Sequence, residues 1–376
     1  MSTEHSKRAA KFTADVEKTT WHDATFWSVR QKRDKMAHEL PEWEDLRELA
    51  SEIKMHTITH LADYLDVFSK NLESRGVKVH WAKDAQEFNE IVLGILNDHH
   101  VKKMVKSKSM LTEECEMNPY LEKHGIDVVE TDLGERIIQL LGQKPSHIVM
   151  PAIHLKREEV GKMFEEKGIS LEIGNYDPTY LTRCARHHLR DQFMEAGAGM
   201  TGCNFGVAET GDCVVCTNEG NADMTTSMPK LHIVAMGIEK LVPDYKSLAV
   251  FQRLLCRCGT GQPTTAFTSH FRQARPGAEM HVVLVDNGRS DILADKDHWQ
   301  TLKCMRCGAC MNTCPVYRRS GGYSYTYFIP GPVGVNLGML KNPQKYADNV
   351  SACTLCLSCD NVCPSKVGPG SQIYVW

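Results

Sequence analysis

The sequence predicts an α/β domain with a mostly parallel sheet, preceded by N-terminal helices and followed by a small cysteine-rich helical part. Three observations carry this. Apolar residues recur at helical spacing up to about residue 75, and short apolar runs then alternate with amphipathic segments as far as about residue 290. Beyond that point one cysteine spacing occurs twice. The expected parts are therefore 1–75, 76–290 and 291–376.

In the first part, Leu46, Leu49, Ile53, Ile58, Leu61, Leu65 and Phe68 follow one another at three to five residues, one buried helical face, with Gly76 as the stop. In the second part, "VKVHWA", "VKKMVKSKS", "IDVVETD" and "SHIVMPAIH" read as strands. Helical stretches at 84–97 and 155–168 separate them, which implies βαβ units and a parallel sheet with helices on its faces. "FGVAETGDCVVCTN", "LHIVAMGIEKLV" and "HVVLVDNG" supply a second group of strands. No low-complexity linker marks the boundary near residue 290, so the two parts should pack together.

Bulk composition narrows the function classes. The 376 residues are 42% hydrophobic and 24% charged with a net charge of −3, which gives no electrostatic footprint for nucleic acid or an anionic membrane. No apolar run approaches a membrane span and the first twenty residues lack a secretory apolar core. A cytoplasmic location is expected. The 15 cysteines are then reduced and available for metal ligation rather than disulfides.

Cys304, Cys307, Cys310 and Cys314 form C-x2-C-x2-C-x3-C-P, and Cys353, Cys356, Cys359 and Cys363 repeat it. This is the spacing of a bacterial two-cluster ferredoxin, in which the fourth cysteine of each run ligates the other cluster. Three thiolates on one tight loop wrap one face of a cubane, while the fourth, before Pro315 or Pro364, heads away. The predicted sets are Cys304, Cys307, Cys310 and Cys363 for one [4Fe-4S] cluster, and Cys314, Cys353, Cys356 and Cys359 for the second. Zinc is the competing reading, but its sites use two ligand pairs rather than two runs of four. The 38 residues between Cys314 and Cys353 contain helical stretches, which suggests a helical ferredoxin domain. Of the remaining cysteines, Cys213 and Cys216 fall on a predicted strand and point to opposite faces. Cys256 and Cys258 would point the same way from a strand. A third cluster stays an open, weaker alternative.

Polar clusters at predicted strand ends mark a candidate pocket, because open α/β sheets bind ligands there. "KSKSMLTEE" offers Lys106, Lys108, Ser109, Thr112 and Glu113. "TGCNFGVAETGDCVVCTNEGN" offers Glu209, Thr210 and Gly211, then Asn218, Glu219, Gly220 and Asn221; "CGTGQ" (258–262) adds a further turn and "DNGR" adds Arg289. Each cluster alone reads as a structural turn, and four together favour a shared pocket. No nicotinamide, flavin or Walker fingerprint is present. His99, His100, His187 and His188 read as helix-surface residues, and His154 as a helix cap or a pocket residue. Arg318 and Arg319 read as a solvated pair near the clusters.

The ordered set "KSKSMLTEE", "TDLGERIIQL", "PSHIVMPAIH", "GVAETG", "TNEGN", "LHIVAMGIEKLVP", "TGQ" and "DNGR", followed by both cysteine runs, resembles the iron–sulfur subunit of the bacterial lactate-utilisation system. The resemblance implies a LUD domain of NagB/RpiA-like fold joined to a helical two-cluster ferredoxin domain. It implies two partners, a cysteine-rich CCG-motif subunit and a smaller LUD-domain protein, in a cytosolic assembly that oxidises L-lactate to pyruvate. The eight run cysteines match the family's cluster motifs, and Glu209–Gly211 with Asn218–Asn221 match its signature turns. The family usually continues well past the second run, whereas thirteen residues follow Cys363 here, so a shortened C-terminus is implied.

The expected function is that of an electron-transfer subunit of a 2-hydroxy-acid oxidoreductase acting on L-lactate. The rivals are an equivalent subunit for another substrate such as glycolate, a LUD-type small-molecule binding or redox-sensing protein, and an inactive shortened remnant.

Overall fold

A computed structural model describes residues 3–376. The strands are β1 (Lys78–Ala82), β2 (Lys103–Lys106), β3 (Asp127–Glu130), β4 (Ala198–Gly202), β5 (Phe205–Val207), β6 (Asp212–Thr217), β7 (Leu231–Gly237), β8 (Leu241–Val242), β9 (Phe267–Phe271) and β10 (Glu279–Val285). Six of them form a sheet in the order β1-β10-β7-β4-β2-β3, with every neighbouring pair parallel. The central strands β7 and β10 are nearly continuous buried apolar runs, the signature of a sheet covered on both faces. A second sheet, β8-β5-β6-β9, is mixed and built around the β5–β6 hairpin.

The sequence also sets where helices begin. Asp84, Ser109, Asp132, Asp177 and Asp244 each cap a helix by accepting a bond from the backbone N–H three residues on. Helices α1 (Glu4–Thr13), α2 (Val16–His38), α3 (Trp43–Thr59) and α4 (Leu61–Glu73) precede the sheet, and α5 (Ala85–Asp98) follows β1. The periodic stretch predicted as one helix is two, because the chain breaks at His60 between α3 and α4. Helix α6 (Met110–Glu114) is short and stands at the carboxyl end of β2.

"SHIVMPAIH" is not a strand. The buried His147 ring accepts at Nδ1 from the N–H groups of Val149 and Met150, at 3.1 and 3.0 Å, and Ser146 N–H closes on Pro151 O at 3.1 Å. Those local bonds replace a ladder, and Ile148 is buried against the C-terminal part instead of the sheet. Cys256 and Cys258 lie on the helix Tyr245–Gly259 and not on a strand.

The N-terminal helices do not stand apart as a separate layer. α2 packs on the helices Ala309–Thr313 and Pro315–Ser320, and α3 packs on the helix Tyr245–Gly259. Arg318 sits over the Trp27 ring at 4.6 Å and pairs with Asp23 at 3.3 Å, so it fastens α2 to the cysteine-rich part rather than facing solvent. No helix among the described residues is long and apolar enough to cross a membrane.

Gly199 in β4 lies against the helix Asn221–Ser227, where an added Cβ would stand 1.8 Å from Thr225 O. A backbone carbonyl cannot step aside. Gly199→Ala should lower the stability to chemical denaturation by about 3 kcal/mol, the upper range of core overpacking, read from the unfolding midpoint at constant slope.

Candidate iron–sulfur centre and adjoining cleft

The two cysteine runs adopt the same backbone. Arg306 and Leu355, each two residues after the first cysteine, take φ of 61° and 50°; Gly308 and Leu357, each after the second, take 80° and 56°. A short helix follows in each, Ala309–Thr313 and Ser358–Val362, and each ends on the fourth cysteine at φ −67° or −66° and ψ 118°. Left-handed conformations at Arg306, Leu355 and Leu357 are costly for side chains of that size. The repeated kinks curl each loop back on its first sulfur: Arg306 N–H donates to Cys304 Sγ and Leu355 N–H to Cys353 Sγ, both at 3.4 Å. Tyr317 N–H reaches Cys314 Sγ at 3.5 Å and Val367 N–H reaches Cys363 Sγ at 3.3 Å.

The sulfurs of the two runs interleave. Burial pushes the Cys310 thiol above its usual range, and Cys304, Cys307 and Cys363 add to the push. Burial likewise takes Cys363 up to about 12, with Cys307 and Cys304 contributing. Around Cys314 burial dominates again, and its like-charged neighbours are Cys353 and Cys356. Cys359 is raised by burial, then by Cys310 and Asp360, and least by Cys314, so it stands between the two groups of sulfurs. Cys304, Cys307, Cys310 and Cys363 together wall a void of about 20 Å³. Thiols raised in this way ionise only with a compensating cationic centre among them, so the donor set fits a polynuclear iron–sulfur core.

The larger cleft, about 370 Å³, opens at the carboxyl ends of β2, β4 and β7. Its walls come from three places. The sheet ends supply Ser109, Glu239, Lys240 and Arg289; the segment after β6 supplies Asn218, Glu219 and Asn221; the first cysteine loop supplies Met305, Arg306 and Cys307. Gly237 must lack a side chain, since a Cβ there would lie 2.2 Å from Glu239 Oε2.

Of the residues singled out from sequence, Ser109, Asn218, Glu219, Asn221 and Arg289 line this cleft, and Gly220 caps the adjoining helix Asn221–Ser227. Lys106 does not. It is buried beneath the cleft, 2.7 Å from Glu130 and 3.4 Å from Glu113, and donates to Thr112 Oγ1 at 3.0 Å. Glu209, Thr210 and Gly211 also lie elsewhere, in the β5–β6 turn. Asn71 donates to the carbonyls of Ala208 and Glu209 at 2.9 and 3.0 Å, and Gly211 takes φ 72° against α4, so this turn anchors the α4 helix.

Charge in the cleft is arranged around Arg289. Its guanidinium donates to Glu239 Oε2 at 2.5 Å and to both Glu114 oxygens at 3.0 Å. Burial opposes ionisation of Glu239, yet Arg289, Lys240 and Arg306 together hold it at about 2. Lys240 is itself pushed down by burial, partly offset by Glu239. Arg306 carries a buried Nη1 with no partner. On the opposite wall, burial and then Asp132 raise Glu219 to about 7, against the opposing bond from Leu133 N–H and the charge of Lys108. Lys240, Arg306 and Asp132 escaped the sequence reading; Lys240 sits inside an apolar run and Arg306 inside a cysteine motif, so neither looked like a pocket residue.

With this geometry established, likeness to known proteins is informative. The model of the LUD domain matches residues 65–290, and that of the 4Fe-4S dicluster domain matches residues 300–367. A LUD domain joined to an iron–sulfur dicluster domain is thus the class of protein. Lactate utilization protein B of Bacillus pumilus is 43% identical over 344 residues, 90% of this chain and 72% of that protein. The protein of the same name from Macrococcus caseolyticus is 42% identical over 351 residues, with the same shares covered. The uncharacterized electron transport protein YkgF of Escherichia coli is 41% identical over 346 residues, again 90% and 72%. The chain belongs to the Lactate utilization protein B family.

Crossed ligation, as the cysteine spacing predicts it, has a measurable signature. Cys363→Ser should perturb the same paramagnetic resonance signal as Cys304→Ser, and Cys314→Ser the same signal as Cys353→Ser, in anaerobically reduced protein. Cys184→Ser, on the outer helix Pro178–Glu195, should leave the iron content unchanged.

Proposed function

We propose that the chain is the electron-transfer subunit of an assembly that oxidises L-lactate to pyruvate, with two [4Fe-4S] clusters in the crossed cysteine sets. One observation carries the reading: Met305, Arg306 and Cys307 line both the substrate-sized cleft and the void enclosed by the first set. Clusters bound there supply one-electron redox chemistry, two sites matching the two electrons released by a 2-hydroxy acid. The names of the relatives from Bacillus pumilus and Macrococcus caseolyticus support lactate as the substrate, and that of the Escherichia coli relative supports electron transfer.

Within the cleft, Lys240 and Arg306 form the cationic side, suited to a small carboxylate, because Arg306 has hydrogen-bonding capacity to spare. Glu219, on the other wall, has the affinity for a proton that a general base needs near neutral pH; it takes the hydroxyl proton, the proton from Cα leaves to solvent, and the two electrons released would pass one to each cysteine-bound cluster. Ser109 and Asn218 supply polar contacts that fix orientation. The second set lies nearer the surface, where Cys356 is exposed and Leu355 and Leu357 are each 43% accessible. That apolar rim supports docking of the cysteine-rich CCG-motif subunit beside the second set, with the smaller LUD-domain subunit completing the assembly in the cytoplasm.

The test is anaerobic. Mixed with its two partner subunits and L-lactate, the loaded protein should lose visible cluster absorbance, and glycolate should not replace lactate. Bleaching by dithionite alone would sink the substrate assignment. Because a base must be unprotonated to act, the rate of lactate-driven bleaching should rise through about pH 7, the value to which burial and Asp132 lift Glu219, and level off above it. Glu219→Gln should lower that rate by roughly 100-fold or more and abolish the acid limb.

A further inference from the structure

The opposite end of the parallel sheet carries a second constellation of metal-binding side chains, far along the strands from the cleft. Glu279 opens β10 and His281 lies two residues on, so both project from one face of the strand. His99 follows α5, the helix that covers that face, and His80 comes from the neighbouring edge strand β1. His281 Nε2 stands 2.6 Å from Glu279 Oε1 and His99 Nε2 stands 3.2 Å from the same oxygen. One ligand atom from each of the three residues falls within 4.8 Å of the others. A tetrahedral ion with bonds of about 2.0–2.2 Å needs its donors roughly 3.4 Å apart, so modest side-chain adjustment suffices.

The fourth residue supplies what a metal-bound imidazole requires. His80 Nε2 lies 2.9 Å from His281 Nδ1, and the two rings meet edge to edge, nearly coplanar, with centroids 5.1 Å apart and 5° between their planes. With His281 Nδ1–H donating to His80, the His281 Nε2 lone pair points at the space shared with Glu279 and His99. Ligating histidines are commonly fixed by such a bond from the other ring nitrogen. His281 is buried while His99 is reachable from solvent, which gives a rigid anchor and an open approach. One group competes: Lys78 Nζ sits 2.6 Å from Glu279 Oε1, but its side chain is 57% exposed and an exposed pair of this kind holds weakly.

We propose that His99, Glu279 and His281 form a binding site for a divalent transition ion of the zinc type, with His80 as the positioning residue of His281. Two imidazoles and one carboxylate leave the fourth position to water. The ion would tie the end of α5 to the first residues of β10 and displace Lys78 from Glu279. The site is independent of both cysteine sets and of the cleft chemistry.

The experiment uses the full chain with its iron–sulfur content intact, titrated with zinc chloride by calorimetry under anaerobic conditions. Wild type should take up one zinc ion, and its thermal unfolding midpoint should rise with zinc concentration. His99→Gln, at an exposed position that the fold does not need, should weaken binding at least tenfold. His80→Phe should weaken it by roughly 10- to 100-fold, the usual effect of losing the partner of a ligating histidine. Lys78→Ala should tighten it. No zinc uptake by wild type overturns the proposal. So does uptake unchanged in a His99→Gln, Glu279→Gln double variant, since the ion would then reside on cleft thiols such as Cys203 and Cys216.

Discussion

The carbonyl oxygen of Cys363 accepts hydrogen bonds from Nε and Nη2 of Arg47 at 3.1 and 3.0 Å, and the same guanidinium reaches Asn361 O at 2.8 Å. Arg33, one helix earlier, donates to Val362 O at 3.2 Å. The end of the second cysteine run is thereby held from α2 and α3. Cys363 walls one void together with Cys304, Cys307 and Cys310, so its placement shapes that void. Hydrogen bonds from a charged donor contribute roughly 1.5–3 kcal/mol each, and leaving the buried carbonyls unpaired would cost a similar amount. Lys303 Nζ to Ser51 Oγ, at 2.9 Å, fastens the first run to α3 in the same manner. The N-terminal helices are best understood as part of the shell around the cysteine runs.

A second constraint follows from packing that shell against the sheet. The carboxyl ends of β2, β4 and β7 face the first cysteine loop, and charged groups confined between them have little water to share. Arg289 resolves this by joining Glu239 to Glu114, and Gly237 leaves the room that the trio occupies. Lys106 and Glu130 make a comparable pair one layer below. The Arg289 trio is paired internally, whereas Glu130 keeps one buried oxygen without a partner. Arg306, on the cleft wall, keeps a buried Nη1 without a partner, which is the condition a binding site needs.

Much of this was legible in the sequence because the signals are local. Strands β7 and β10 announced themselves as apolar runs, and the repeated cysteine spacing marked the 4Fe-4S dicluster part. The misreadings share a cause. "SHIVMPAIH" has the composition of a strand, but the His147 ring and the apolar underside of the C-terminal part captured it as a loop. Glu209–Gly211 and Asn218–Asn221 look alike as polar turns, and only the third dimension puts one against α4 and the other in the cleft. His80, His99 and His281 come from three segments distant in sequence, and no spacing rule links them.

The bonds from Arg47 to Cys363 join residues separated by 316 positions. On a ribosome adding roughly 5–20 residues per second, α3 waits on the order of 15–60 s before its carbonyl partner has been made. Contacts of such high contact order form late and slowly, after the sheet has had time to assemble. For that interval the faces of α2 and α3 that later cover the cysteine runs have nothing of their own chain to cover, and the iron-binding loops do not yet exist. The shell that α2 and α3 make around the cysteine runs therefore closes only after residues 361–363 have been made, late relative to the sheet.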